Sequence, residues 1–134
     1  SGAWRTRDLN DLTGDTEFVS ISSNQFTLQA GKYEIESEAP AFGVTRHKAK
    51  LYNITDSTDD IIGTSAFALN ASIGDGSGTD VTYSNVKGTI TITSPKAFEI
   101  QHRSQVTYGS SGFGVSSDFS IAEVYTQVKI TKIP

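Results

Sequence analysis

Cysteine and methionine are both absent from this chain of 134 residues. Without cysteine there is no disulfide framework and no thiolate metal site. Basic residues are few: eleven Lys and Arg against fifteen Asp and Glu leave a net charge of -4. That balance argues against a phosphate backbone as partner, which calls for clustered Lys and Arg. No apolar run approaches the roughly 20 residues of a membrane helix, and no signal peptide is visible. Neither nucleic acid nor membrane is therefore expected among the partners. Helical patterning is also missing, since no stretch keeps a 3.6-residue apolar period for three turns.

What fills the chain instead is seventeen Ser, sixteen Thr and twelve Gly, with Val, Ile, Tyr and Phe between them. This is a turn-rich composition whose apolar residues suit a pleated, half-buried surface. The length fits one domain with a core of its own. Ser1-Gly2 reads as a cloning remnant, so the chain is expected to be one domain cut from a longer protein. Residues 1–14 form a lead-in, in which Trp4, Arg5, Arg7 and Asp8 either join an upstream shaft or fray. Residues 15–134 form the domain.

Short alternating runs separated by turn residues occupy nearly all of it. "EFVSIS" places Phe18 and Ser20 on one face, Val19 and Ile21 on the other. "GKYEIESE" turns Tyr33 and Ile35 inward and Lys32, Glu34, Glu36 and Glu38 to water. "HKAKLYNI" sets His47, Ala49 and Leu51 against Lys48, Lys50 and Tyr52. "VTYSNVKGTITITS" has Val86, Ile90 and Ile92 at one parity, with a bend expected at Gly88. "AFEIQHRSQV" carries Phe98, Ile100, His102 and Val106 inward. "AEVYTQVKITKI" is read as a last strand with Val124, Val128 and Ile130 inward and Tyr125, Gln127 and Lys129 outward. Roughly eight to ten such strands predict an all-β antiparallel sandwich, jelly roll or barrel. "SIGDGSGTD" (Ser72 to Asp80) and "YGSSGFGVSS" (Tyr108 to Ser117) are its long loops.

The stretch "FTLQAGKYEIES" holds the most informative spacing. Gly31 stands where one strand ends and the chain must turn back into the sheet, a task suited to positive φ. Tyr33 and Ile35 then enter the interior from the returning strand. Phe26, a spacer, and Gly31-Lys32-Tyr33-Glu34-Ile35 resemble the motif of complement-globular-head and tumour-necrosis-factor-like jelly rolls. Two departures are visible: the spacer is one residue shorter, and Ile35 replaces the motif's second aromatic. With "HKAKLYN", "AFEIQHR", "SGFG" and "EVYTQVKI", the chain from Glu17 to Ile133 is similar to C-terminal domains of bacteriophage tail-fibre and related virion proteins built on that roll.

The resemblance implies a non-enzymatic homotrimer at the tip of a fibre or on a virion, assembled in the host cytoplasm and working outside it. Its work would be trimer registration and attachment to a host-surface glycan or protein. Two alternatives stand beside it: a capsid-decorating assembly domain without a receptor, and a secreted carbohydrate-binding sandwich. If the fold is a jelly roll, "HKAKLYN", "AFEIQHR" and the last strand should share one sheet. Its outer face would carry Lys50, Tyr52, Glu99, Gln101, Arg103, Tyr125 and Gln127. Two Tyr and two Gln there suit a partly polar subunit interface better than a solvated face. The plainer reading is an exposed sheet with two tyrosines.

Other candidate sites are thinner. His47 and His102 fall at inward parity on strands expected to be neighbours. They are read as satisfied core or interface residues, with a pH-sensitive pair as the functional alternative. Two His without further ligands do not make a closed zinc site, and no metal or other cofactor is predicted. Asp56, Asp59, Asp60, Asp75 and Asp80 offer oxygen ligands of the kind calcium takes, but at no calcium-loop spacing, and turns need the same residues. No nucleophile elbow exists. Glu34, Glu36 and Glu38 share one face without opposed acids, so no catalysis is expected. For ligand binding, Tyr83, Tyr108 and Phe113 are the loop aromatics, with Asp75 and Asp80 as polar partners. Phe113 between glycines equally reads as a plug closing the end of the sandwich.

Overall fold

The computed structural model describes residues 2–70, 79–108 and 111–134, and among these there is no helix. Nine strands follow one another: β1 (Arg5–Thr6), β2 (Val19–Ser22), β3 (Gln25–Leu28), β4 (Gly31–Phe42), β5 (Thr45–Asn53), β6 (Thr58–Ala68), β7 (Val81–Ile92), β8 (Lys96–Ser104) and β9 (Gln127–Ile133). They make two antiparallel sheets. One runs β2-β3-β8-β5-β6 with β1 also on β8, and the other runs β7-β4-β9. β3 pairs with β8 from Lys96 to Phe98, and β1 takes over opposite Gln101 and His102. The ladders nest: β5 pairs with β6, β4 with β7, and β3 with β8.

Period-two alternation explains which side chains meet between the sheets. Along β4, Tyr33 and Ile35 are fully buried while Lys32, Glu34 and Glu38 are exposed. Facing them across the sandwich are Phe26, Leu28, Ala49, Leu51, Phe98 and Ile100, in one cluster with Val86, Ile90 and Ile92 from β7. Phe26 stacks on Phe98 with ring centroids 5.7 Å apart. Each large apolar side chain buried in this way contributes about 1.5–3 kcal/mol. A second, smaller cluster of Ala41, Val44 and Ala68 lies under Tyr108 at one end.

Gly31 takes φ 156°, and a Cβ there would meet the Tyr33 ring and hydroxyl at 3.3 Å. The space it leaves lets the Tyr33 hydroxyl donate to the Gln29 carbonyl at 2.8 Å. The Phe26-to-Tyr33 stretch is therefore a turn whose geometry is held by the tyrosine that follows it. On one side the two sheets are also joined by hydrogen bonds. The β5–β6 register shifts between Lys48 and Lys50. There the Ala49 N–H donates to Ser84 Oγ on β7, which in turn donates to the Thr64 carbonyl on β6.

Three expectations are corrected. The last strand does not join β5 and β8; β9 pairs with β4 from Lys32↔Ile133 to Glu38↔Gln127. Both edges of β5 and of β8 are already occupied, whereas β4, paired on one side with β7, has its other edge free for β9. The strand also starts later than expected, at Gln127, so Val124 lies outside it and is 65% exposed. Val128 and Ile130 do pack on the core as read. Gly88 makes no bend, because the β4–β7 ladder runs through it opposite Ile35. Its lack of a side chain instead admits Ile61, whose Cδ1 would lie 3.1 Å from a Cβ at that position.

Candidate functional site

The densest polar arrangement away from the surface lies where β5, β7 and β8 meet the N-terminal segment. His47 from β5 and His102 from β8 are both buried. His47 Nδ1 lies 2.9 Å from His102 Nε2, and His47 Nε2 lies 2.7 Å from Thr82 Oγ1 on β7. The fourth ring nitrogen, His102 Nδ1, is buried with no hydrogen-bond partner. One proton assignment leaves no donor unpaired. His102 Nε2–H donates to His47 Nδ1, His47 Nε2–H donates to the Thr82 hydroxyl, and a bare lone pair remains on His102 Nδ1.

Phe113 stacks flat on His102, with centroids 4.8 Å apart and planes 9° from parallel. Arg7 lies against the same ring, its guanidinium carbon 4.4 Å from the centroid. This arginine is only 4% exposed. Its Nε donates to Thr126 Oγ1 at 2.6 Å, Nη2 to the Phe113 carbonyl at 2.7 Å, and Nη1 to the Pro40 carbonyl at 3.3 Å. Arg7 thus pins both ends of the strap running from 113 to 126, while its own N–H donates to the Ile100 carbonyl. Burial pushes its pKa down to about 10, with Asp8 opposing the shift.

Burial, then the charge of Arg7, pushes His47 down to about 4. Burial, then Arg7, then His47 push His102 down to about 3. Both rings are therefore neutral at pH 7. Although a hydroxyl sits on His47, a general base near neutral pH needs an imidazole that can hold a proton, and this one resists it. Among the described residues no group of three or more His, Asp or Glu side chains is placed to hold a metal ion.

The residues expected at a subunit interface are not brought onto one face. Tyr52, Glu99, Gln101 and Arg103 do share the outer side of β5 and β8, where Gln101 donates to Glu99 at 2.6 Å. Lys50 belongs to that strand face but is only 7% exposed. Trp4 covers its ammonium at 4.0 Å, and Asp59 pairs with it at 2.7 Å. Tyr125 and Gln127 belong elsewhere, Tyr125 on the strap with its ring against Gly114 and Gln127 opening β9 in the other sheet. Such a face needs the last strand beside β5 and β8, and β9 pairs with β4 instead.

The loop candidates also separate. Tyr83 is not in a loop but in β7, opposite Pro40, and is 50% exposed. Asp80 is exposed just before that strand, its N–H donating to the Leu69 carbonyl and its carbonyl accepting from Gly43. Tyr108 packs edge-on against Phe42 at 4.9 Å and covers the small core cluster. Phe113 is half-buried and stacks on His102. Asp75 lies outside the described residues. Of the remaining aspartates, Asp56 and Asp60 accept from Asn53 Nδ2, and Lys96 pairs with Asp56 and holds its carboxyl below the usual range.

Arg7 is the member of this cluster that sequence reasoning did not single out as a candidate site residue. No local pattern points to it, because its side-chain partners lie 33, 106 and 119 positions away. The class that fold and site together define is an all-β sandwich of two antiparallel sheets carrying a cluster of buried Arg7, His47 and His102 under a half-buried Phe113. No protein-family model matches the chain, and a comparison with curated proteins finds no match either.

Proposed function

We propose that the chain is a non-enzymatic structural and binding module that works as a homotrimer, the head domain of a phage tail fibre or related virion appendage. The observation that carries this reading is a run of large apolar side chains on the strap. Val115, Phe119, Ile121 and Val124 are 44%, 77%, 74% and 65% exposed. An apolar run of this kind marks a contact surface, since a lone subunit leaves it in water. The strap leads directly into β9, which pairs with β4 alone among the described residues and so keeps one backbone edge open. An open edge beside an apolar strap is a site that another copy of the chain would cover.

The nested ladders β5–β6, β4–β7 and β3–β8 support the jelly-roll resemblance, as does the Gly31–Tyr33 turn. Half-exposed Tyr83, with Asp80 near it in sequence, is the place where attachment to a surface glycan or protein is best looked for. Three identical weak sites on one tip would bind a repetitive surface through avidity.

Light scattering after size exclusion, at two protein concentrations, tests the proposal. A mass of three chains is expected, falling towards one chain in a Phe119→Ser/Ile121→Ser variant. A wild-type monomer at both concentrations overturns it.

A further inference from the structure

The Arg7–Phe113–His102–His47 arrangement joins two outlying pieces of chain, the N-terminal segment and the strap 113–126, to the sandwich. The fully buried residues of the main core come from other parts of the chain, with Leu9 and Leu12 packed against its margin. β1 has only two residues, and every residue from 115 to 125 is exposed. Such outlying pieces open at lower free energy than the core. They meet at a buried cation lying over the Phe113 ring, which stacks in turn on a neutral imidazole with a bare, buried lone pair.

We propose that the His47–His102 pair is an acid-operated latch: on taking up a proton it repels the Arg7 guanidinium and releases the N-terminal segment and the strap, while the two sheets stay folded. The inference goes beyond the trimeric reading and does not depend on it. A proton on His102 Nδ1 would create an N–H without an acceptor and a second positive charge beside Arg7, in a site closed to water. Moving Phe113 and Arg7 away relieves both at once. Opening also uncovers the stretch of β8 at Gln101 and His102 that β1 occupies.

The groups facing the pair are few. The N-terminal segment supplies Arg7, with Arg5 opposite His102 in register but exposed, and each histidine faces the other. β7 supplies the neutral Thr82, β4 only the Pro40 carbonyl near Arg7, and the strap the ring of Phe113. Asp8, the one carboxylate acting on Arg7, does not act on either histidine. Both pKa values are lowered in the closed form and rise towards the ordinary 6.5 as opening admits water and removes Arg7. The closed form is therefore fully favoured above pH 6.5 and loses ground as pH falls, until the closed-state values near 4 and 3 are reached. Each proton taken up raises the open-to-closed ratio by at most about tenfold per pH unit, or at most about 100-fold between pH 6.5 and 4.5.

Trp4 is the only tryptophan and sits on the N-terminal segment against Lys50, so its fluorescence and acrylamide quenching report release directly. Titrating the intact chain from pH 7.5 to 4 should raise Trp4 quenching while far-UV circular dichroism holds. Over the same range pepsin should begin to cut within 113–126. A His47→Gln/His102→Gln variant should lose the transition. Where that variant is unfolded at pH 7, His47→Gln alone should shift the midpoint by at least about half a pH unit, since one of two coupled sites is gone. The proposal is overturned by a flat Trp4 signal, by loss of strand structure together with it, or by a transition indifferent to the histidines.

Discussion

Gly31 and Tyr33 should be coupled energetically, and a double-mutant cycle measures by how much. The Tyr33 hydroxyl donates to the Gln29 carbonyl at 2.8 Å while its ring is fully buried. Tyr33→Phe removes that bond and keeps the packing, which costs about 1 kcal/mol. On a chain of 134 residues this lowers Tm by roughly 3–5 °C. Gly31→Ala places a Cβ 3.3 Å from the same hydroxyl, from Tyr33 Cε2 and from Lys132 Cε. Together with the backbone conformation, this crowding costs about 1–3 kcal/mol. The backbone part is the same in both backgrounds and cancels in the cycle. What remains is the clash with the hydroxyl, so Gly31→Ala should cost about 0.5 kcal/mol less, or better, when residue 33 is Phe. Urea unfolding of all four proteins at one fixed concentration reads the difference, since any association then contributes about equally. Strict additivity would mean that the glycine serves the turn alone and leaves nothing for the tyrosine, and the account of this turn would be wrong.

Two further substitutions probe the sandwich. Phe98→Ala empties a fully buried site stacked on Phe26, and should cost about 3–5 kcal/mol by urea midpoint. Ser84→Ala strips the Ala49 N–H of its acceptor and the Thr64 carbonyl of its donor, and should cost about 2 kcal/mol, with faster amide exchange at Ala49 as the local sign.

Much of this architecture can be read along the chain because its signals are local. Alternation assigns Tyr33, Ile35, Leu51, Phe98 and Ile100 to the interior, and Gly31 marks its turn, from neighbours within a few residues. It also places His47 and His102 on adjacent strands. Parity does not reveal which strand an element pairs with, and so alternation alone puts β9 in the wrong sheet. Both sheets offer its inward residues the same core, and only the occupied edges of β5 and β8 exclude it. Lys50 illustrates the same limit. Its parity points outward, yet a tryptophan 46 positions earlier (50 − 4) covers it. Buried Arg7 combines both difficulties, a charged residue in a lead-in whose partners are all distant.

The span of those contacts bears on how the molecule comes into being. Arg7 and Thr126 stand 119 positions apart, and β4 gains its second partner only when β9 exists. Native pairings of such length close late and slowly, on the scale of milliseconds to seconds for β domains. On a ribosome, β4 would emerge with its ladder positions empty and wait for most of the chain to follow it. During that wait its apolar face and backbone edges are open to other nascent copies. Glu34, Glu36 and Glu38, the first and last of them exposed, lie on the face that never enters the core and would then act as charges that keep a half-made sheet apart from its neighbours.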